Sequence, residues 1–185
     1  KGKAMMERYC SKMSDNGGSN KTFAGGGNTY YNLTVTGDNA TITGSNTWNT
    51  IAVNNAGLTN GLKFTSGTTQ TISALTTNGN TGNLAKLRSV TASSAANIRK
   101  NTSGDVSVDY MSLQDTNVAG TGAGAGISWY AGVNSTNVSG NTGWTFSAPV
   151  ISVTANFDLC ANSLLSINSS GVICSCPPQY VIISA

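Results

Sequence analysis

From residue 23 to about 146, short apolar clusters alternate with polar turns at a spacing of roughly ten residues. The clusters read "YYNLTV", "ATIT", "WNTIAV", "GLKF", "TISAL", "LAKLRSV", "ANIRK", "VSVDYMSL", "ISWYAG" and "GWTF". Between them stand "TGDN", "NNAG", "TSGT", "TNGNTGN" and "NTSGD", rich in the residues that accept turn geometry. Inside a cluster the apolar side chains fall two apart, as in Leu62 and Phe64 or Ile72 and Ala74. A period of two predicts strands with one face inward. Two clusters with their turns span about twenty residues, the length of one coil in a solenoid of short strands. The pattern therefore predicts an all-β chain, a parallel β-solenoid of short Thr/Asn/Gly-rich strands. An antiparallel β-sandwich is the alternative, because Asn60-Gly61 and Asn78-Gly79 are hairpin-turn dipeptides and "VSVDYMSL" is long enough for a sandwich strand.

Outside this body the pattern changes. Residues 1–22 form a basic N-terminal arm in which "AMMERYCSKM" predicts a short helix. Residues 147–185 form a tail that opens near Pro149, holds three of the four cysteines and ends in "QYVIISA". No apolar run approaches the ~20 residues of a membrane helix, so no membrane span is expected. No secretory leader is legible at Lys1, and the chain reads as a mature product or a piece of one.

The segment "GLKFTSGTTQTISALTTNGNTGNLAKLRS", then "VSVDYMSLQD" and "ISWYAGVNSTNVSGNTGWTF", resembles repeat-rich β-helix-like segments of bacterial surface proteins and of phage tail or fibre proteins. The resemblance spans roughly residues 23–146 and lies in pattern and turn wording. It implies a structural or adhesive role and an extracellular, cell-surface or virion location.

Composition sharpens the picture. Charged residues make up only 9% of the chain, and Gly, Asn, Ser and Thr together supply about half of it. Disorder combines low hydrophobicity with high charge, which is not the case here. A surface of hydroxyls and amides has little charge to keep copies apart, which points to assembly. Half of the ten cations, Lys1, Lys3, Arg8, Lys12 and Lys21, lie in the arm, opposed there by Glu7 and Asp15. The arm lacks the aromatic interleaving of a nucleic-acid surface and no groove-reading motif follows, so nucleic acid is not an expected partner.

Candidate chemistry is sparse. The chain has no His, which removes the usual general base and the commonest zinc ligand. Asp105, Asp109 and Asp115, with Arg88, Arg99 and Lys100, are the only candidates for a carbohydrate-cleaving site, and Asp105 and Asp109 would share a face if both stood on one strand. Their positions beside turns read more simply as structural. "GTGAGAG" at 120–126 mimics a phosphate loop but leads into strand-like "ISWYAG" rather than a helix. The chain is thus expected to be no enzyme, with no metal and no cofactor.

Cys10, Cys160, Cys174 and Cys176 lack the paired spacing of a zinc site and read as disulfide candidates, within the chain or between copies. The uncharged apolar stretch at the C-terminus, with Tyr180, Val181, Ile182 and Ile183, is either the last strand of its own sheet or a strand donated to a neighbour. Trp48, Trp129, Tyr130 and Trp144 are candidates for stacking on sugar rings, or else core residues. Taken together, the sequence predicts a structural subunit of an extracellular filament or surface assembly whose partners are copies of itself. A carbohydrate-binding adhesin or fibre module that meets surface glycans is the alternative.

Overall fold

The computed structural model describes residues 20–119, 126–149, 164–168 and 171–175. The chain divides into two compact units between Pro149 and Val150. The first unit holds fourteen strands: β1 (Thr22–Ala24), β2 (Thr29–Val35), β3 (Ala40–Thr43), β4 (Thr47–Val53), β5 (Leu62–Phe64), β6 (Thr69–Thr77), β7 (Ala85–Ser89), β8 (Ala96–Lys100), β9 (Val106–Ser107), β10 (Met111–Gln114), β11 (Thr116–Ala119), β12 (Trp129–Tyr130), β13 (Thr136–Ser139) and β14 (Trp144–Thr145). Odd and even strands part at first into two sheets. One runs β1-β3-β5-β7-β10-β13, the other β2-β4-β6-β8-β11, and a third, β9-β12-β14, joins in the later coils. Every strand pair in these sheets is parallel. The body is a β-solenoid.

The parallel arrangement follows from winding. Each coil repeats the direction of the last, so a strand meets its own equivalent one coil on. Partner residues lie 19 positions apart in the first step, Thr22 and Thr41, and 26 apart between Leu87 and Leu113. Equivalent inward positions stack into columns: Ala40, Leu62, Leu87 and Leu113 on one sheet, Leu33, Ile51 and Leu75 on the other. All seven are buried. Burying each Leu or Ile contributes about 1.5–3 kcal/mol, which suffices because neighbouring coils cover each other's columns.

Two details of the strand pattern differ from expectation. The alternation predicted Ala74 as the inward partner of Ile72, but Leu75 is the buried residue and Ala74 is half-buried. The reason is a bend at Ser73. Tyr31, Asn49 and Ser73 are skipped in the register of β2, β4 and β6, so the next inward residue comes three positions on, at Leu33, Ile51 and Leu75. These long strands turn a corner of the coil. "VSVDYMSL" is likewise no single strand: it breaks between β9 and β10, where Tyr110 adopts φ 55°.

The antiparallel alternative is overturned for the body. Asn60-Gly61 leads into β5 and Asn78-Gly79 leaves β6, and both serve coil corners instead of hairpins. A Cβ on Gly79 would lie 2.0 Å from the Tyr110 carbonyl oxygen, and one on Gly61, at φ 75°, would lie 2.4 Å from Lys86. The glycines are demanded by the close approach of the adjacent coil. Within this unit's described residues, antiparallel pairing is confined to the small Asn80–Asn83 bridge.

The second unit contains β15 (Leu164–Asn168) and β16 (Gly171–Ser175), an antiparallel pair in which Leu165 opposes Cys174. The predicted helix in the arm and the "YVIISA" strand lie outside the described residues.

Candidate functional site

The carboxylates are where a catalytic site would have to be built, and the solenoid uses them as stitches. Asp38 accepts hydrogen bonds from the Asn60 and Gly61 backbone N–H groups, both at 2.7 Å, and from the Asn60 amide at 3.0 Å. Asp109 accepts from the N–H groups of Tyr110 (2.8 Å) and Asn134 (2.9 Å) and from the Asn134 amide (2.7 Å). Asp105 accepts from Ser128 N–H at 2.8 Å, and buried Asp115 from Ser93 N–H at 3.1 Å. Each links its own coil to the one 22 to 25 residues away. Asp105 and Asp109 do not share a strand, since β9 holds only Val106 and Ser107 between them.

The electrostatics fit this role. Burial pushes the Asp38 carboxyl up, but the hydrogen bonds from Gly61, Asn60 and Asn39 outweigh it and hold the group below its ordinary value. Asp109 shows the same balance, burial opposed and exceeded by the bonds from Asn134 and Tyr110. Both are poised to stay ionised and to accept.

Asparagine and glutamine do the same work inside the coils. Asn46 is buried and bridges three coils: its Oδ1 accepts from Gly27 N–H at 3.2 Å, and its Nδ2 donates to Gln70 Oε1 at 3.2 Å. Gln70 Oε1 also accepts from Trp48 Nε1 at 2.9 Å, while Gln70 Nε2 donates to the Gly44 carbonyl at 2.8 Å. Asn55 holds the backbone of Lys86 at both ends, accepting from its N–H at 2.7 Å and donating to its C=O at 3.0 Å. Asn141 accepts from Thr116 N–H and donates to the Leu113 carbonyl. An amide side chain carries one donor and one acceptor edge, so it can replace a missing strand neighbour at a turn.

The aromatic candidates divide. Trp48 is 1% exposed, stacked on Tyr30 at 4.6 Å and near Phe23 at 5.9 Å, and Trp129 is 2% exposed against Trp144 at 5.4 Å. Neither ring offers a face to a sugar, so for these two the core reading replaces the stacking one. Tyr130 and Trp144 are half-buried, and Trp144 packs against the core. Among the described residues the structure brings no set of aromatics together on the outside; the exposed ring there is Tyr31, 68% accessible at the corner of β2.

Of the cations named with the carboxylates, Lys100 is buried at the inward column of Tyr30, Trp48 and Ile72, and its Nζ donates to the carbonyls of Ser103 (2.9 Å) and Gly104 (2.5 Å). Arg99 is exposed on the outer face. Arg88 stands next to Lys63 across β5 and β7. Among the described residues no group of three His, Cys, Asp or Glu is placed to hold a metal ion. Cys174 stands on β16, whereas Cys10, Cys160, Cys176 and Tyr180, Val181, Ile182 and Ile183 lie outside the described residues. So does most of "GTGAGAG", though a strand, β12, does follow it.

The two ends of the solenoid form a feature that the sequence clusters did not isolate. Among the described residues β1 and β2 pair only inward, with β3 and β4, and β13 and β14 only with β10 and β12. All four residues of β13 are exposed, and Val133 and Val138 are 64% and 47% accessible. From Thr22 to Gly37 and from Thr116 to Pro149 there is not one Asp, Glu, Lys or Arg. The signal was present in the sequence as a charge-free interval at each end of the body, but only the strand order shows that those intervals are edges.

Comparison with known protein families, with curated proteins and with solved structures finds no match. Among the described residues no helix is long and apolar enough to cross a membrane.

Proposed function

We propose that the chain is a structural subunit that joins copies of itself end to end in an extracellular filament or surface assembly. The observation that carries this reading is the charge-free stretch at each end of the body, Thr22–Gly37 and Thr116–Pro149, together with strand edges that are unpaired among the described residues. Proteins that remain single protect such edges with Lys, Pro, bulges or a covering element. Here Thr136–Ser139 is a four-residue edge bearing Thr, Asn, Val and Ser, all exposed; its register shifts once, at Val138, but it carries no Lys and no Pro. A second copy presenting β1 continues the six-stranded sheet beyond β13 in the same parallel sense, adding backbone hydrogen bonds as each coil does to the last. The cysteines and the terminal "YVIISA" segment are the natural means of locking such a contact. Carboxylates committed to backbone amides favour a scaffold over a catalyst.

The test places a charge on the edge. Val138→Lys, and separately Thr136→Lys, should shift the protein from long oligomers to single particles in sedimentation velocity and negative-stain micrographs, without lowering its melting temperature. A wild-type chain that sediments as a monomer at high concentration, with and without reductant, would sink the reading.

A further inference from the structure

The outer face of the six-stranded sheet carries a row of side chains that neither the stacking of coils nor end-to-end joining uses. In register along it stand Thr22, Thr41, Lys63, Arg88, Gln114 and Ser139. Their neighbours on the strands, Leu62, Phe64, Leu87 and Ser89, are buried, so the alternation turns Lys63 and Arg88 outward. Lys86, two positions before Arg88, faces the same way, with its Nζ donating to the Thr59 carbonyl at 3.3 Å. Three cations thus sit on two adjacent strands spaced about 4.8 Å apart.

Like charges directly opposite each other in a sheet repel, and a solenoid that is otherwise sparing of charge has placed two of them in register. Nothing described neutralises them. The acids whose turns border these strands are directed at backbone: Asp38 at Asn60 and Gly61, Asp115 at Ser93. Arg88 Nε is buried and has no hydrogen-bond partner among the described residues. That nitrogen is closed to solvent, so the terminal Nη edge of the half-buried guanidinium, beside two ammonium groups, is what meets a carboxylate or sulfate. On either side the row continues in hydroxyls and an amide over about 24 Å, the span of six strands. Such groups suit sugar hydroxyls, whereas the row offers no aromatic ring for a nucleobase.

We propose that this face, centred on Lys63 and Arg88, binds an acidic polysaccharide along the solenoid axis, its charged groups held by Lys63, Arg88 and Lys86 and its hydroxyls by Thr41 and Gln114. The site is independent of the terminal coils.

The experiment measures binding of the full chain to polygalacturonate by biolayer interferometry, with neutral dextran and single-stranded DNA as comparison polymers. Wild type binds polygalacturonate and not dextran, and added salt weakens the binding. Lys63→Gln with Arg88→Gln reduces affinity at least about tenfold, since two charge-assisted hydrogen bonds are lost. Lys63→Gln alone gives a smaller loss at unchanged melting temperature, which separates binding from folding. Arg99→Gln removes the same charge from the other sheet and leaves binding intact. Absence of wild-type binding, an equal loss in Arg99→Gln, or equally tight binding of the DNA overturns the proposal.

Discussion

Gln70 is the single side chain on which the interior polar network turns, and its replacement gives the sharpest prediction about stability. It is wholly buried, and its Oε1 is the hydrogen-bond acceptor recorded for Trp48 Nε1. Replacing it with Leu keeps roughly the volume but removes both amide edges. Trp48 N–H is then left buried without an acceptor, which costs about 1–3 kcal/mol. Asn46 and Gly44 each lose one bond but keep another, since Asn46 still donates to the Gly44 carbonyl at 3.0 Å. Those two losses add about 0.5–1.5 kcal/mol each, so Gln70→Leu should cost roughly 2–6 kcal/mol before the gain from a more apolar side chain is counted. Trp48→Phe removes the orphan donor. In that background the same substitution should cost less by about 1–3 kcal/mol, the coupling energy of the pair. Urea denaturation of the four proteins, followed by far-ultraviolet circular dichroism, measures the cycle. A Gln70→Leu protein as stable as wild type, or a coupling of zero, would refute the claim that buried amides hold adjacent coils together.

Three further outcomes follow from the geometry. Gly67→Ala should cost about 1–2 kcal/mol, the strain of a left-handed backbone at φ 74° with open space around it. Gly79→Ala, which drives a methyl group into the Tyr110 carbonyl, should cost more, and thermal melts of the pair will rank them. Asp38 and Asp109 are depressed below their ordinary value of 3.8, so their stabilisation is present above that pH and is lost as pH falls through the lower folded values. Acid titration should therefore show a steeper loss of melting temperature in wild type than in Asp38→Asn or Asp109→Asn, and parallel curves would contradict the assignment. Lys63→Thr relieves repulsion from Arg88 and should raise stability by about 0.2–1 kcal/mol at low salt, a gain that vanishes at high salt.

How much of this could be read in the chain depends on which force set each feature. The two-residue alternation at Leu62 and Phe64 and the ten-residue spacing of clusters gave the solenoid, because inward burial and coil length are written locally. Asn78-Gly79 misled as a hairpin signal, since its glycine answers to the backbone at Tyr110, 31 positions away. Ala74 failed for a related reason: the corner at Ser73 is fixed by three coils in register, and a single strand does not reveal it. The carboxylates read as residues beside turns, but their partners, two dozen positions on, were invisible, as was the burial of Asp115. Trp48 could not be told from a surface ring without knowing that Gln70 lay one coil away to receive its N–H. The charge-free intervals were readable as composition and became edges only once the strand order was known.

The bend that skips Tyr31, Asn49 and Ser73 has a consequence for what the molecule can present to its surroundings. These three positions are freed from the inward–outward alternation and repeat along one ridge at the strand-to-strand interval. Ser73 carries the ridge on to Asn101, whose Oδ1 accepts its hydroxyl at 2.9 Å. Tyr31 and Asn49 are exposed there and Ser73 is half-buried, and the hydrogen bond from Asn49 to Asn32, at 3.0 Å, is itself on the outside, so the ridge can change its chemical lettering while the coils beneath keep theirs. Recurring side chains spaced at about 4.8 Å would make it a ruled line on which a designed array of chemical groups can be written one coil at a time.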